Sequence, residues 1–307
     1  MRSIFRSAIF GVALVSIAAT GALAQTFPTE QAHLVAEKLT DRWGQTVLIE
    51  NIAGAAGNIG AETVPSAPAD GHVLLLNASS HVINGILYSK LPYDPFKDFT
   101  PIAQMASCQH MFVVHPSVTA KSIKDFVALV KAKPGQLTIG NSGIGTPGYP
   151  AAELFKTTAG IEFIHVPYKG SAPATTDLLG GQLTGMFNNP VNTLPCTAAG
   201  KLKAPAVAGK QRLAVAPEVP TVAESGYPGF EAGTWFGVYG PAQVPAAVMT
   251  KICDDMVRVL RLPDVQQKLN TQAWDSIGNT PSEFAAVMKA ESESWSKVIR
   301  TAGIKAE

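Results

Sequence analysis

Short apolar runs alternate along this chain with stretches in which apolar residues return every three or four positions. The runs TVLIEN (46–51), HVLLLN (72–77), LTIGN (137–141), EFIHVP (162–167) and LTGMFN (183–188) are continuous rather than alternating. That is the pattern of strands covered by helices on both faces, as in a parallel sheet. Helical segments follow each of them: GNIGAETV, VINGILY, YPAAELFKTTA, PATTDLLGG and TLPCTAAG. The repeated strand-then-helix order predicts an α/β protein with open, doubly wound sheets. Two further helices carry their own start signals. SIKDFVALVKAKPG opens with Ser122 and Asp125 in capping-box spacing and closes on Pro134-Gly135. TPSEFAAVMKAESESWSKVIR opens with Thr280, Pro281 and Glu283. In that second helix Phe284, Val287, Met288, Trp295, Val298 and Ile299 form an apolar stripe, interrupted by Glu291.

Two long extended segments break the rhythm, FTPIAQMASCQHMFVVHP (99–116) and KLKAPAVAG (201–209). They are expected as crossings between two lobes, one made of 25–103 plus 220–307 and the other of 104–219, so that a cleft closes by hinge motion. The beginning of the chain reads differently. Arg2 and Arg6 precede an uncharged apolar run from Ala8 to Ala19, and Ala22-Leu23-Ala24 supplies a small-residue cleavage site. Residues 1–24 are therefore expected to be a secretory signal peptide cleaved after Ala24. No later run is long and apolar enough to span a membrane. Loss of the two arginines turns a net charge of +1 into −1, which leaves no basic field for nucleic acid. Cys108, Cys196 and Cys253 are too widely spaced for a zinc or redox motif; buried free thiols are expected, with one disulfide as the alternative.

Ligands of open α/β sheets sit where strands end and helices begin. Four such connections stand out: NASSHVIN (77–84), GNSGIGTPG (140–148), VPYKGSAPA (166–174) and FNNPVN (187–192). They contain Ser, Thr, Asn and Gly, one cation (Lys169) and no acid. Hydroxyls, amides and helix-entry N–H groups favour a small anion, a carboxylate in particular. The candidate ligand-binding residues are Ser79, Ser80, His81, Ser142, Gly143, Gly145, Thr146, Tyr168, Lys169, Gly170, Asn188 and Asn189. Ser79-Ser80-His81 lacks a nucleophile elbow and an orienting acid, so catalysis is not expected. The other histidines show no metal-ligand spacing and are expected to be structural. GAAGNIG (54–60) is spaced G-x-x-G-x-x-G, which reads as a tight strand-to-helix turn rather than a dinucleotide loop. No metal and no cofactor is expected.

The motifs LIENIAGAAGNIGAE (48–62), LPYDPFKDFTPIA (91–103), VVHPSVTAKSIKDFVALVKAKPGQLTIGNSG (113–143), HVPYKGSAPATTDLLGGQ (165–182) and PEVPTVAESGYPGFEAGTWFGVYGPAQVP (217–245) are together similar to the Bug family, the TctC-like extracytoplasmic solute receptors of tripartite tricarboxylate transporters. The resemblance implies a type II periplasmic-binding-protein fold and a periplasmic, monomeric, non-catalytic receptor. Such a receptor delivers a small carboxylate or related solute to the membrane components of its transporter. Departures are visible. Tyr149-Pro150 stands where the family resembles His-Leu, Phe187-Asn188-Asn189 where it resembles F-D-N, and Pro205 lies in an expected strand. The largest is at the start, where Pro28-Thr29 runs directly into EQAHLVAEKL. By comparison with the family, the first strand of lobe 1 and its glycine-rich loop are expected to be missing, which would leave that lobe unstable unless another segment fills the gap. A receptor-derived protein that has lost solute binding and serves as a sensor partner is the alternative function.

Overall fold

The structure is a computed structural model that describes residues 12–16, 29–52 and 54–304. In chain order its elements are β1 (Val12–Ser16), α1 (Thr29–Trp43), β2 (Val47–Asn51), a 3-10 turn (Ala55–Gly57), α2 (Asn58–Thr63), β3 (Val73–Ala78), α3 (Ser80–Leu87), β4 (Phe99–Gln109) and β5 (Met111–Val114). Then follow α4 (Ile123–Ala132), β6 (Thr138–Asn141), α5 (Gly148–Ala159), β7 (Ile164–Pro167), α6 (Ser171–Leu179), β8 (Gly185–Asn188), α7 (Pro190–Ala198) and β9 (Lys203–Val207). The chain ends with β10 (Gly233–Pro241), α8 (Ala246–Leu260), α9 (Pro263–Asn270), β11 (Asp275–Ser276) and α10 (Pro281–Ala302).

Two sheets form the two lobes. The first has the order β11-β4-β10-β3-β1-β2 and the second β7-β6-β8-β5-β9. The chain changes sheet at His110, between β4 and β5, and again at Ala232, just before β10. These points lie about six and twelve residues beyond the expected boundaries at 103/104 and 219/220. The crossing backbones are tied to each other: His110 N–H donates to Ala232 O (3.1 Å), Ala208 N–H to His110 O (2.7 Å) and Ala232 N–H to Ala208 O (2.7 Å). Pro205 is tolerated because β9 is an edge strand of the second sheet.

The position expected to stand empty in lobe 1 is filled. Val12–Ser16, part of the run read as a leader, pairs parallel with β2 from Val12↔Val47 to Ser16↔Asn51. It also pairs parallel with β3, from Ala13↔Val73 to Ser16↔Leu76. An uncharged apolar run has the composition that a strand buried on both faces requires, which explains why this segment fits. The expected cleavage site at Ala22-Leu23-Ala24 and the position of the expected glycine-rich loop lie outside the described residues.

Helices cover both sheets. In α1, Ala32, Val35, Ala36 and Leu39 are buried at helical spacing against the first sheet. Four phenylalanines, Phe112, Phe126, Phe155 and Phe187, form the centre of lobe 2. The long α10 belongs to both lobes. Its first half buries Phe284 and Met288 beside Trp235 and Tyr239, and its second half buries Trp295 and Ile299 in the cluster that contains the lobe 2 phenylalanines. Between the halves, the Glu291 carboxylate accepts from Trp235 Nε1 (2.6 Å) and Trp295 Nε1 (2.8 Å). The polar interruption in the stripe is thus paired with the two indoles around it. All three cysteines are free thiols. Among the described residues no helix is long and apolar enough to cross a membrane.

Candidate functional site

A cleft of about 590 Å³ lies where the carboxyl ends of the strands of both sheets face each other. From lobe 2 it is lined by residues 142–148, 168–171, 187–189, 191 and 192; from lobe 1 and the crossing by 54–57, 77, 78, 80, 88, 110, 234 and 236. The structure therefore brings together Ser80, Ser142, Gly143, Gly145, Thr146, Tyr168, Lys169, Gly170, Asn188 and Asn189. Ser79 and His81, which were expected to contact ligand, lie behind the cleft wall instead. Both are fully buried. The His81 ring packs 4.6 Å from both Phe99 and Tyr239, stacks on Tyr93 at 5.7 Å, and places Nε2 3.3 Å from Pro95 O. Burial pushes its pKa down to about 4. It is a neutral core residue, because the first turn of α3 rotates it about 100° away from Ser80.

Among the described residues five helices begin at the cleft: α2, whose N-cap Gly57 lines it, and α3, α5, α6 and α7. None has a side-chain cap on its first turn. By contrast α4 and α10, which start elsewhere, carry complete capping boxes built on Ser122 and Thr280. Because α8 and α9 also begin without a side-chain cap, the bare terminus alone distinguishes nothing. What matters is the convergence of several on one cleft, since each carries partial positive charge and unpaired N–H groups. Lys169 is exposed beside them, and among the described lining residues there is no Asp, Glu or Arg. Tyr168 does not aim its hydroxyl at this space. That group donates to Asp177 Oδ2 at 2.6 Å, and burial together with this bond pushes its pKa up to about 12. Asn188 is similarly engaged, donating to Thr175 Oγ1 (3.3 Å) and accepting from the Asn189 N–H (2.8 Å) and Asn192 Nδ2 (3.3 Å).

On the lobe 1 side the turn Gly54-Ala55-Ala56-Gly57 has four successive positive φ angles, 130°, 46°, 52° and 96°. An alanine in the left-handed region is disfavoured by about 1–2 kcal/mol, so the turn is held by its surroundings. Asn84 Nδ2 donates to Ala56 O (3.1 Å) and to Asn58 Oδ1 (2.7 Å), which also accepts from Tyr93 OH (2.8 Å). Lobe 2 approaches at this point: a Cβ on Gly145 would lie 2.2 Å from Asn84 Oδ1 and 3.2 Å from Ala56 Cβ. The two walls of the cleft therefore meet across Gly145.

Among the lining residues not foreseen individually are three polar ones on the lobe 1 side, Asn77, His110 and Thr234. Asn77 and His110 are each 2% exposed, and Asn77 Nδ2 and His110 Nδ1 have no hydrogen-bond partner within the protein. His110 Nε2 lies 2.7 Å from Thr234 Oγ1. Burial pushes the imidazole pKa down to about 4, outweighing the nearby Asn189 side chain, which favours the charged form, so the ring is neutral at neutral pH. A histidine inside an apolar extended run reads as structural; only the crossing of the two sheets places it on the cleft floor.

The fold is matched in known proteins. The family model described as tripartite tricarboxylate transporter family receptor, TctC, matches residues 31–304. The chain belongs to this family. BugT of Bordetella pertussis is 31% identical over 276 residues, 89% of this chain and 85% of its own length. Rpa4515 of R. palustris, whose structure is with adipate, is similar with a TM-score of 0.88 at 31% identity, covering 98% of this chain and 99% of that one. MatC (Rpa3494) from Rhodopseudomonas palustris, with bound malate, is similar with a TM-score of 0.84 at 28% identity, covering 94% and 99%. The TctC family consists of periplasmic solute receptors rather than enzymes, and the fold is that of the periplasmic binding proteins.

Proposed function

We propose that this TctC receptor captures a small carboxylate between its lobes and hands it to the membrane components of a tripartite transporter. The observation that carries the reading is the cleft itself: helix N-termini converge on it beside Lys169, and no carboxylate among the described residues opposes them. An anion gains there from helix-end N–H groups and their partial charge, and an added acid side chain would repel it. The relatives seen with adipate and with malate agree with a carboxylate as ligand. Export to the periplasm and action as a monomer complete the reading. Calorimetric titration of the folded protein with a library of mono-, di- and tricarboxylates tests it. Saturable heat from at least one acid is expected, and silence across the library from protein shown to be folded overturns it. The alternative, a sensor partner without solute, draws on the dependence of lobe 1 on Val12–Ser16. Capture of a sensor ectodomain by protein that binds no acid would favour it.

A further inference from the structure

We propose that Asn77 and His110 set the specificity of the cleft by reading a hydroxyl on the body of the ligand, so that a hydroxy acid is preferred to the same acid without its hydroxyl. This rests on the carboxylate reading above and adds a second recognition point to it. Both residues line the cleft, and each is 2% exposed. Each is held at one end and leaves the other free. Asn77 Oδ1 accepts from the Ala78 N–H at 2.8 Å, which fixes the amide with its NH2 as the free end. That Nδ2 has no hydrogen-bond partner within the protein. His110 Nε2 lies 2.7 Å from Thr234 Oγ1, and its Nδ1 has no hydrogen-bond partner either. The backbones behind them are fixed: Asn77 lies in β3, and the N–H and C=O of His110 are bonded to Ala232 and Ala208. A buried polar atom left unpaired is costly and rare in folded proteins. Two of them lining one cleft, on backbone held in place, point to a ligand that supplies the missing partners.

The chemistry of the two nitrogens sets the kind of partner. The Asn77 NH2 only donates, so it requires an oxygen acceptor. Burial pushes the His110 pKa down to about 4, so at neutral pH the ring is neutral and carries a single N–H. The direction of the contact with Thr234 decides whether Nδ1 donates or accepts. A hydroxyl does both and suits either case, whereas a carboxylate oxygen only accepts. Lys169, the one cation among the described lining residues, stands in the loop after β7, not among Asn77, His110 and Thr234. A carboxylate beside those three would exchange water for neutral groups only, at a larger desolvation cost than a hydroxyl's. A ligand hydroxyl replaces solvent bond for bond, while a C–H group in its place leaves the nitrogens unpaired. Sites built around a substrate hydroxyl reject the analogue that lacks it for this reason.

The test titrates matched acids calorimetrically into the folded full-length chain at neutral pH: malate against succinate, 2-hydroxyglutarate against glutarate, 3-hydroxybutyrate against butyrate, and mandelate against phenylacetate. In at least one pair the hydroxy acid is expected to bind about tenfold more tightly or better, equivalent to about 1.4 kcal/mol. Asn77→Ala removes the free NH2, and His110→Gln removes Nδ1 while keeping an amide in reach of Thr234. In each variant the two acids of that pair should come to nearly equal affinity, through a loss confined to the hydroxy acid. A merely structural role would weaken both acids alike. Should a variant fail to fold, the wild-type comparison and the other variant still decide. No preference for the hydroxy acid in any pair overturns the inference while the carboxylate reading stands, and so does a preference that survives in a variant that folds. If no mono-, di- or tricarboxylate binds, the carboxylate reading itself fails.

Discussion

Lobe 2 and the sheet of lobe 1 are assembled in different ways. The strands of lobe 2 all lie between Met111 and Val207, and β6, β7 and β8 follow one another with a helix in each connection. The sheet of lobe 1 is gathered from distant parts of the chain: β1 at residue 12, β2 and β3 before residue 79, β4, then β10 and β11 after residue 232. Its parallel half turns on β1, which lies between β2 and β3 and is the partner of both. The sheet of lobe 2 comes from neighbouring sequence, although α10 completes its core, whereas the sheet of lobe 1 needs both ends of the chain. The difference teaches where the molecule is vulnerable: a short segment at one end holds a central position in a sheet.

The largest expected effect follows from removing that segment. A chain starting at Gln25 loses five register pairs to β2 and four to β3. With each ladder hydrogen bond worth about 1 kcal/mol net, the loss rivals the whole stability of a typical domain, about 5–15 kcal/mol. Hydrogen exchange should show β2 and β3 losing protection while β5, β6 and β8 keep theirs. Equal protection in both chains would break the comparison. The intact mass of the exported protein then decides whether β1 is present in the molecule that works in the periplasm.

Next in size is Glu291, on the helix that joins the lobes. Glu291→Leu leaves the buried indole N–H groups of Trp235 and Trp295 without their acceptor, at about 1–3 kcal/mol each. A loss of roughly 2–6 kcal/mol in denaturant unfolding is expected on that principle, shared by both lobes. The wild-type carboxyl also has a pH signature. Burial raises its pKa above the ordinary 4.5, with Glu231 adding to the rise and the two indole bonds opposing it. A raised carboxyl pKa favours the folded state most below 4.5, and that advantage is lost as pH rises through the folded value. Glu291→Gln should flatten this part of the melting-temperature profile. An unchanged profile would show that the carboxylate has no part in coupling the lobes.

Gly145 tests the meeting of the lobes rather than either one. Gly145→Val puts carbon onto Asn84 Oδ1 and Ala56 Cβ, and Asn84 is held by two bonds of its own, so the cleft has to stay wider. Affinity for a bound acid should fall about tenfold or more, equivalent to about 1.4 kcal/mol, with lobe 2 stability unaltered. A wild-type affinity would mean that Gly145 does not limit closure.

The same contrast explains how much could be read in advance. The strands around 138–141, 164–167 and 185–188 lie within two residues of the apolar runs that announce them, because strands buried on both faces need continuous hydrophobicity. So do the two capping boxes, whose signal is local. β1 was legible only as a leader, since an uncharged apolar run satisfies an export signal and a central strand equally well, and pairing register is not written in composition. The loops rich in Ser, Asn and Gly mark the cleft, yet which side chain faces it depends on helix phase and on partners. Ser80 faces inward while His81 turns into the core, and the Tyr168 hydroxyl is taken by Asp177 nine residues on. His110 gains its place from two crossings more than 90 residues apart in sequence.

The smallest expected effect lies in lobe 1 and asks how much its long-range contacts rest on charge. Asp255 on α8 is buried and accepts from Arg42 and from Trp43 Nε1 (2.8 Å) on α1, and from Lys251 Nζ (2.7 Å) on its own helix. Burial pushes its carboxyl up, but the bonds from Lys251, Arg42 and Trp43 outweigh this and hold it well below its ordinary value of 3.8. A lowered pKa stabilises the fold fully above pH 3.8, and the contribution drains away as pH falls below that toward the folded value. The cations are more than a third exposed, so solvent screening limits the pair energies and Asp255→Asn should lose only about 1 kcal/mol at neutral pH. The loss should appear as faster exchange in α1 and α8, with lobe 2 unaffected, and it should shrink as pH falls below 3.8. A variant as stable as wild type at pH 7 would show that lobe 1 is held there by Ala32, Val35 and Leu39 packing on the sheet, and not by the ionic tie above them.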